Sequence, residues 1–94
     1  MTKYEMLLLL KSDMEEEARE AELNKFREIV TSEGGAVEST DKWGVKKTAY
    51  PIRFQTEAFY VLMKFSSEAA TVKELDRVAG LSSVVLRRMI TKAE

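Results

Sequence analysis

The chain has 94 residues, 45% of them hydrophobic and 33% charged, with a formal net charge of −1; that is enough for one small two-layer domain and is the balance of a globular chain rather than a disordered one. Cysteine and histidine are both absent, which excludes a disulfide framework, a thiolate metal site and imidazole acid–base chemistry. The start, Met1-Thr2-Lys3-Tyr4-Glu5, has no signal-peptide pattern, and the longest apolar run, Met6 to Leu10, has five residues, far short of the roughly 20 that a membrane-crossing helix needs; a soluble, cytoplasmic protein is the expectation.

Residues 3–10, KYEMLLLL, are apolar on both alternate faces, as a strand in the middle of a sheet is. Ser12 with Glu15, or Asp13 with Glu16, has capping-box spacing, and the acids that follow suit the first turn of a helix. Leu23, Phe26 and Val30, with Ile29 beside them, form the apolar stripe of that helix, which Gly34-Gly35 should stop. Residues 36–50 are β-rich but alternate poorly; Gly44 suggests a bulge, and Pro51, which cannot donate to a ladder, suggests an edge strand. A turn over Phe54–Glu57 leads to AFYVLMKF at 58–65, where Phe59, Val61, Met63 and Phe65 make a core face and Tyr60, Leu62 and Lys64 the other. A second helix is expected to start near Ser67 or at Thr71, with Glu74 completing another capping box. It would bury Val72, Leu75 and Ala79, with Val78 beside them, and end at Gly80. Residues 83–92 read as a last strand.

The order β-α-β-β-α-β predicts an α+β fold of the ferredoxin-like split β-α-β type: a four-stranded antiparallel sheet with two helices on one face and the other face open. Residues 1–94 are expected to form a single domain.

The near-neutral total hides a segregation of charge. Residues 13–41 hold ten acids against Arg19, Lys25 and Arg27, whereas residues 42–53 hold Lys42, Lys46, Lys47 and Arg53 with no acid. Arg87, Arg88 and Lys92 add a second basic cluster near the end. A dipolar surface of this kind can bind a polyanion on one side despite a near-neutral total. Edge-strand protection accounts for Lys46 and Lys47, but not for Trp43 and Tyr50 interleaved with Lys42 and Arg53; cations for phosphates beside aromatic rings for bases or ribose suit RNA. Catalysis finds no support: Ser/His and Cys/His pairs are impossible, and no phosphate-cradling or dinucleotide glycine pattern occurs. The third strand is only superficially like the RNA recognition motif, because Glu57 and Ala58 stand where that motif has a basic residue and glycine.

The segment Asp41-x-Trp43-Gly44-x-Lys46-Lys47-x-Ala49-Tyr50-Pro51-Ile52 resembles the signature of the bacterial small-subunit ribosomal protein S-six family: glycine, a basic pair, a small residue, then Tyr-Pro-Ile. Tyr4-Glu5, Gly34-Gly35, Tyr60-Val61-Leu62-Met63 and Val85-Leu86-Arg87 support the resemblance along essentially the whole chain. Two departures stand out: Thr48 where the family has leucine, and an end at Glu94 without the longer tail of some members. The resemblance implies a structural, non-enzymatic component of the small ribosomal subunit in the cytoplasm, which binds small-subunit ribosomal RNA at a helical junction as a heterodimer with ribosomal protein S-eighteen. It implies no cofactor, metal, membrane or small-molecule substrate. Carried onto this sequence, it makes Lys46, Lys47, Tyr50 and Arg87 candidates for RNA contact. Charge and position add Lys3, Arg53, Arg88 and Lys92, while Trp43 and Val45 are candidates for the protein partner at the sheet edge. The alternative of another class is a protein-interaction or ligand-sensing module on the same fold, with Tyr60 and Leu62 of the open face as anchors.

Overall fold

The structure, a computed structural model, describes residues 1–52 and 55–93. Six elements follow one another: β1 (Thr2–Lys11), α1 (Glu16–Ser32), β2 (Ala36–Ile52), β3 (Gln55–Ser67), α2 (Ala69–Leu81) and β4 (Val85–Lys92). The four strands form one sheet in the order β2-β3-β1-β4, antiparallel at every pairing. This is the ferredoxin-like arrangement that the pattern predicts, with β2 at an edge as Pro51 requires.

Burial on both faces explains the all-apolar reading of β1. Tyr4, Met6, Leu8 and Leu10 point into the main core, together with Phe59, Val61, Met63 and Phe65 of β3, Leu23, Phe26 and Val30 of α1, and Leu75 and Ala79 of α2. Each such side chain contributes about 1.5–3 kcal/mol on burial. On the opposite face Leu9 joins Ala58 and Leu86 in a smaller buried cluster, flanked by Leu7 and Tyr60. The helices thus cover one face of the sheet and leave the other to a thin apolar layer.

Helix boundaries differ from the sequence expectation. Glu15 and Glu68 stand at the N-cap positions of α1 and α2, with no side-chain cap bond in either case. Neither predicted capping box forms: Thr71 lies inside α2 and is buried, and Glu74 binds Arg77 instead. The dipole preference in α1 holds without the cap, since Glu16 and Glu17 occupy its first turn. At the other end Gly34 has φ +87°, and the N–H groups of Gly34 and Gly35 donate to the carbonyls of Thr31 and Val30. Here the left-handed backbone is needed, and glycine adopts it without strain. Strand β3 begins at Gln55, inside the predicted turn, and α2 runs one residue past Gly80.

Candidate interface on the open sheet face

Strand register determines which side chains share the open face. Side chains opposite one another in an antiparallel ladder point the same way, so the register divides that face into rows. One row holds Lys46, Ala58 and Lys11, and the next holds Gly44, Tyr60, Leu9 and Arg87. Further along come Asp41, Leu62, Leu7 and Met89, and then Ser39, Lys64, Glu5 and Thr91. Lys46, Lys11 and Arg87 stand at one end in rows without a carboxylate, whereas Asp41 and Glu5 stand toward the other, beside Lys64.

Two of the register shifts place the aromatic and basic side chains of this face. The pairing of β2 with β3 shifts between Lys42 and Gly44, and Gly44 has φ +88°. Strict alternation would put Trp43 and Lys46 on opposite faces; the extra residue brings both to the open one. The Lys46 ammonium lies 5.0 Å from the Trp43 ring centroid, and Trp43 stacks on Tyr60 with centroids 6.4 Å apart and planes at 14°. A cation held over an aromatic ring in this way is attracted by roughly 0.5–1 kcal/mol at an exposed site. The second bulge, between Leu9 and Leu10 of β1 and their β4 partners, turns both Leu86 and Arg87 to the open face.

The same register separates residues that the sequence groups together. Val45 lies opposite Phe59 and Lys47 opposite Glu57, so both have helix-side parity, although both are exposed at the edge. Trp43 and Val45, expected side by side against a partner, therefore lie on opposite faces. Lys42, opposite Val61, also turns to the helix side, where it forms an ion pair with Glu20 of α1. Glu20 also accepts from Arg27 at 3.1 Å, so the basic segment is not unopposed as its sequence suggests. Arg88, opposite Leu8, likewise faces the helices and donates from Nε to Asp76 of α2 at 2.8 Å. Lys3 and Lys92 lie at the far end of the sheet from Lys46; Lys3 is 3.6 Å from Glu38, and Lys92, opposite Tyr4, is exposed. Arg53 and the side chain of Tyr50 lie outside the described residues. Lys11 went unremarked in the sequence, yet it shares the row of Lys46; its place two residues beyond Leu9 was the available signal.

In the middle of the face Glu5, Leu7, Trp43, Leu62, Met89 and Thr91 line a shallow depression of about 250 Å³. Among the described residues no group of three or more carboxylates is placed to hold a metal ion. The arrangement suits surface recognition: fixed cations at one end, an apolar and aromatic middle, and no assembled acid–base pair.

Comparison with known proteins fixes the setting of this face. The family described as Ribosomal protein S6 matches residues 3–92. The chain belongs to the ribosomal protein S6 family. Among relatives, the small ribosomal subunit protein bS6 of Exiguobacterium sibiricum is 43% identical over 94 residues, covering 100% of this chain and 99% of the relative. The bS6 protein of Clostridioides difficile is 45% identical over 93 residues, covering 99% of this chain and all of its own length. The crystal structure of 30S ribosomal protein S6 from Thermotoga maritima superposes with a TM-score of 0.89 over 97% of this chain and 86% of that one; at 21% identity it speaks for the fold alone. Membership of the S6 family makes the chain a component of the small ribosomal subunit in the cytoplasm, a structural protein rather than an enzyme. That setting favours the ribosomal reading over an interaction or ligand-sensing module.

Proposed function

We propose that the chain, acting as one RNA-binding domain over residues 1–94, holds small-subunit ribosomal RNA with the cationic end of its open sheet face and the adjoining basic segment, in a complex with ribosomal protein S-eighteen. The observation that carries this reading is the bulge at Gly44, which puts Lys46 on the same face as Trp43, Lys11 and Arg87. Cations fixed on strands contact phosphate and ribose and set the orientation of the RNA, with little base readout. Tyr50, Lys47 and Arg53 extend the same basic segment in sequence. The exposed carboxylates Glu15, Glu16 and Glu17 belong to the helix layer, on the other side of the sheet, where they do not repel the phosphates. Lys42 and Arg88 are engaged by Glu20 and Asp76 and contribute less than Lys46.

A formal charge of −1 makes the isolated chain a weak RNA binder. A basic protein partner seated against Trp43 supplies the missing positive surface, so the pair binds better than either alone. The test is binding of a small-subunit ribosomal RNA junction fragment over a salt series, with and without ribosomal protein S-eighteen. Binding that depends on the partner, with log affinity falling steeply against log salt, is the expected result. Equal affinity of the isolated chain would remove the cooperative part of the reading. Absence of binding in both cases, with concentration-dependent self-association, would replace it with a dimerisation surface.

A further inference from the structure

The depression on the open face differs chemically from the cationic end beside it. Its floor is apolar, from Leu7, Leu62 and Met89, and its walls are Trp43 and Glu5. Trp43 and Met89 are 45% and 46% exposed, large apolar side chains presented to solvent from the two outer strands, on either side of the depression. Asp41 lies opposite Leu62 in the ladder and is exposed on the same face. Glu5 lines the depression and Asp41 stands beside it on β2, with Leu62 and Lys64 of the intervening β3 between them. The ammonium of Lys64 is 3.8 Å from Glu5, beyond hydrogen-bond reach, so two carboxylates with spare acceptor capacity face one cation.

An apolar floor between two carboxylates repels phosphate and suits a long aliphatic stem that ends in a positive charge. A guanidinium fits better than an ammonium. Its planar fork of five donors reaches acceptors on two strands at once, and it is more weakly hydrated, so it gives up water at lower cost. Arginine is also enriched at protein interfaces, beside aromatic side chains such as Trp43. We propose that this depression receives an arginine side chain of the protein partner, its stem on Leu7, Leu62 and Met89 and its guanidinium between Glu5 and Asp41. The proposal rests on the reading above that a basic protein joins the chain. It divides the open face into an RNA end, at Lys46, Lys11 and Arg87, and a protein end, at Glu5 and Asp41.

Calorimetric titration of purified ribosomal protein S-eighteen, without RNA, into the wild-type chain and its variants tests this. Glu5→Gln and Asp41→Asn are each expected to weaken binding about tenfold. The double variant should lose much less than the hundredfold product, because one guanidinium serves both carboxylates. Glu17→Gln in the helix layer removes the same charge elsewhere and should change nothing. Asp41 is exposed, so its substitution leaves the core intact even if Glu5→Gln lowers stability. Wild-type binding with Glu5→Gln and Asp41→Asn no different from Glu17→Gln would overturn the arginine seat and leave the partner reading standing. Sensitivity to only one of the two carboxylates would point to a point charge such as lysine and overturn the shared guanidinium. A failure of the wild-type chain to bind S-eighteen at all would sink the underlying reading. A gain in affinity for the junction RNA in Glu5→Gln or Asp41→Asn, with partner binding unchanged, would give this end of the face to RNA and also overturn the proposal.

Discussion

At Thr48 one hydroxyl group illustrates what a single substitution does to an edge strand. Its Oγ1 is buried and has no hydrogen-bond partner among the described residues. A buried hydroxyl without a partner carries a desolvation cost of about 1–3 kcal/mol, and valine has the same shape without the polar atom. Thr48→Val should therefore stabilise the fold by about 1 kcal/mol, read as a rise in Tm of about 4–8 °C for a domain this small. A fall in Tm would mean that the hydroxyl is satisfied within the hairpin. The two lysines of the basic pair also part company at this scale. Lys46→Ala should weaken RNA binding more than Lys47→Ala and reduce the salt slope by about one, while both variants melt within a few degrees of the wild type, as surface substitutions do. The cations were legible in the sequence, and so was the motif that holds them. Their facing was not. Lys42 and Arg88 read as part of one basic surface until the register turned them toward Glu20 and Asp76.

Elements explain why facing escaped. A strand's alternation can be read from sequence only while the pairing stays regular, and one added residue inverts everything beyond it. Gly44 marked one bulge in advance; the bulge near Leu86 carries no glycine and left no mark. Core positions survived because Phe59, Val61, Met63 and Phe65 lie in a regularly paired stretch of β3. The start of α1 and the Thr71 alternative for α2 were misplaced because capping-box spacing is common among acidic and hydroxyl residues; α2 begins near Ser67, and both helices have a glutamate at the N-cap without a side-chain cap bond. Two glycines give opposing tests of what local geometry demands. An added Cβ at Gly44 meets nothing within 4 Å, so the difficulty there is φ alone. Gly44→Asn should fold nearly as well as the wild type, whereas Gly44→Val should lose about 1–2 kcal/mol and weaken RNA binding as much as Lys46→Ala by disturbing the bulge. At Gly35 the added Cβ would come within 2.5 Å of the Ser66 carbonyl oxygen, and Gly35→Ala should cost about 1–3 kcal/mol by overpacking where α1 hands the chain to β2. Denaturant titration separates the two cases. On α2, two hydrogen bonds from the Arg77 guanidinium at 2.7 and 2.9 Å hold the Glu74 carboxyl below its ordinary range, despite a small opposing effect of burial. A depressed folded-state value means that this pair supports the helix above the ordinary carboxylate range and stops doing so as pH falls through the lowered one. An NMR titration should place the Glu74 midpoint below the ordinary glutamate value, and Arg77→Ala should raise it.

For the whole molecule, stability and recognition draw on opposite faces of the same sheet. Phe26 is fully buried beneath α1, and Phe26→Ala should cost about 3–5 kcal/mol, a large part of the total for a chain of this size, read as a marked fall in Tm by circular dichroism. The open face carries the variants that change binding at little cost in stability. β1, in the centre of that sheet, pairs along its length with both β3 and β4. The first strand to be synthesised thus cannot complete its pairing until the last one exists. At a translation rate of roughly 5–20 residues per second, the run Leu7-Leu8-Leu9-Leu10 spends several seconds as an apolar segment of nascent chain without its final neighbour. A run of four leucines that is safe between two strands is a sticky tail while the chain grows, open to pairing with other chains until β4 arrives. This chain, itself a part of that machine, reaches its native sheet only once β4 has been made.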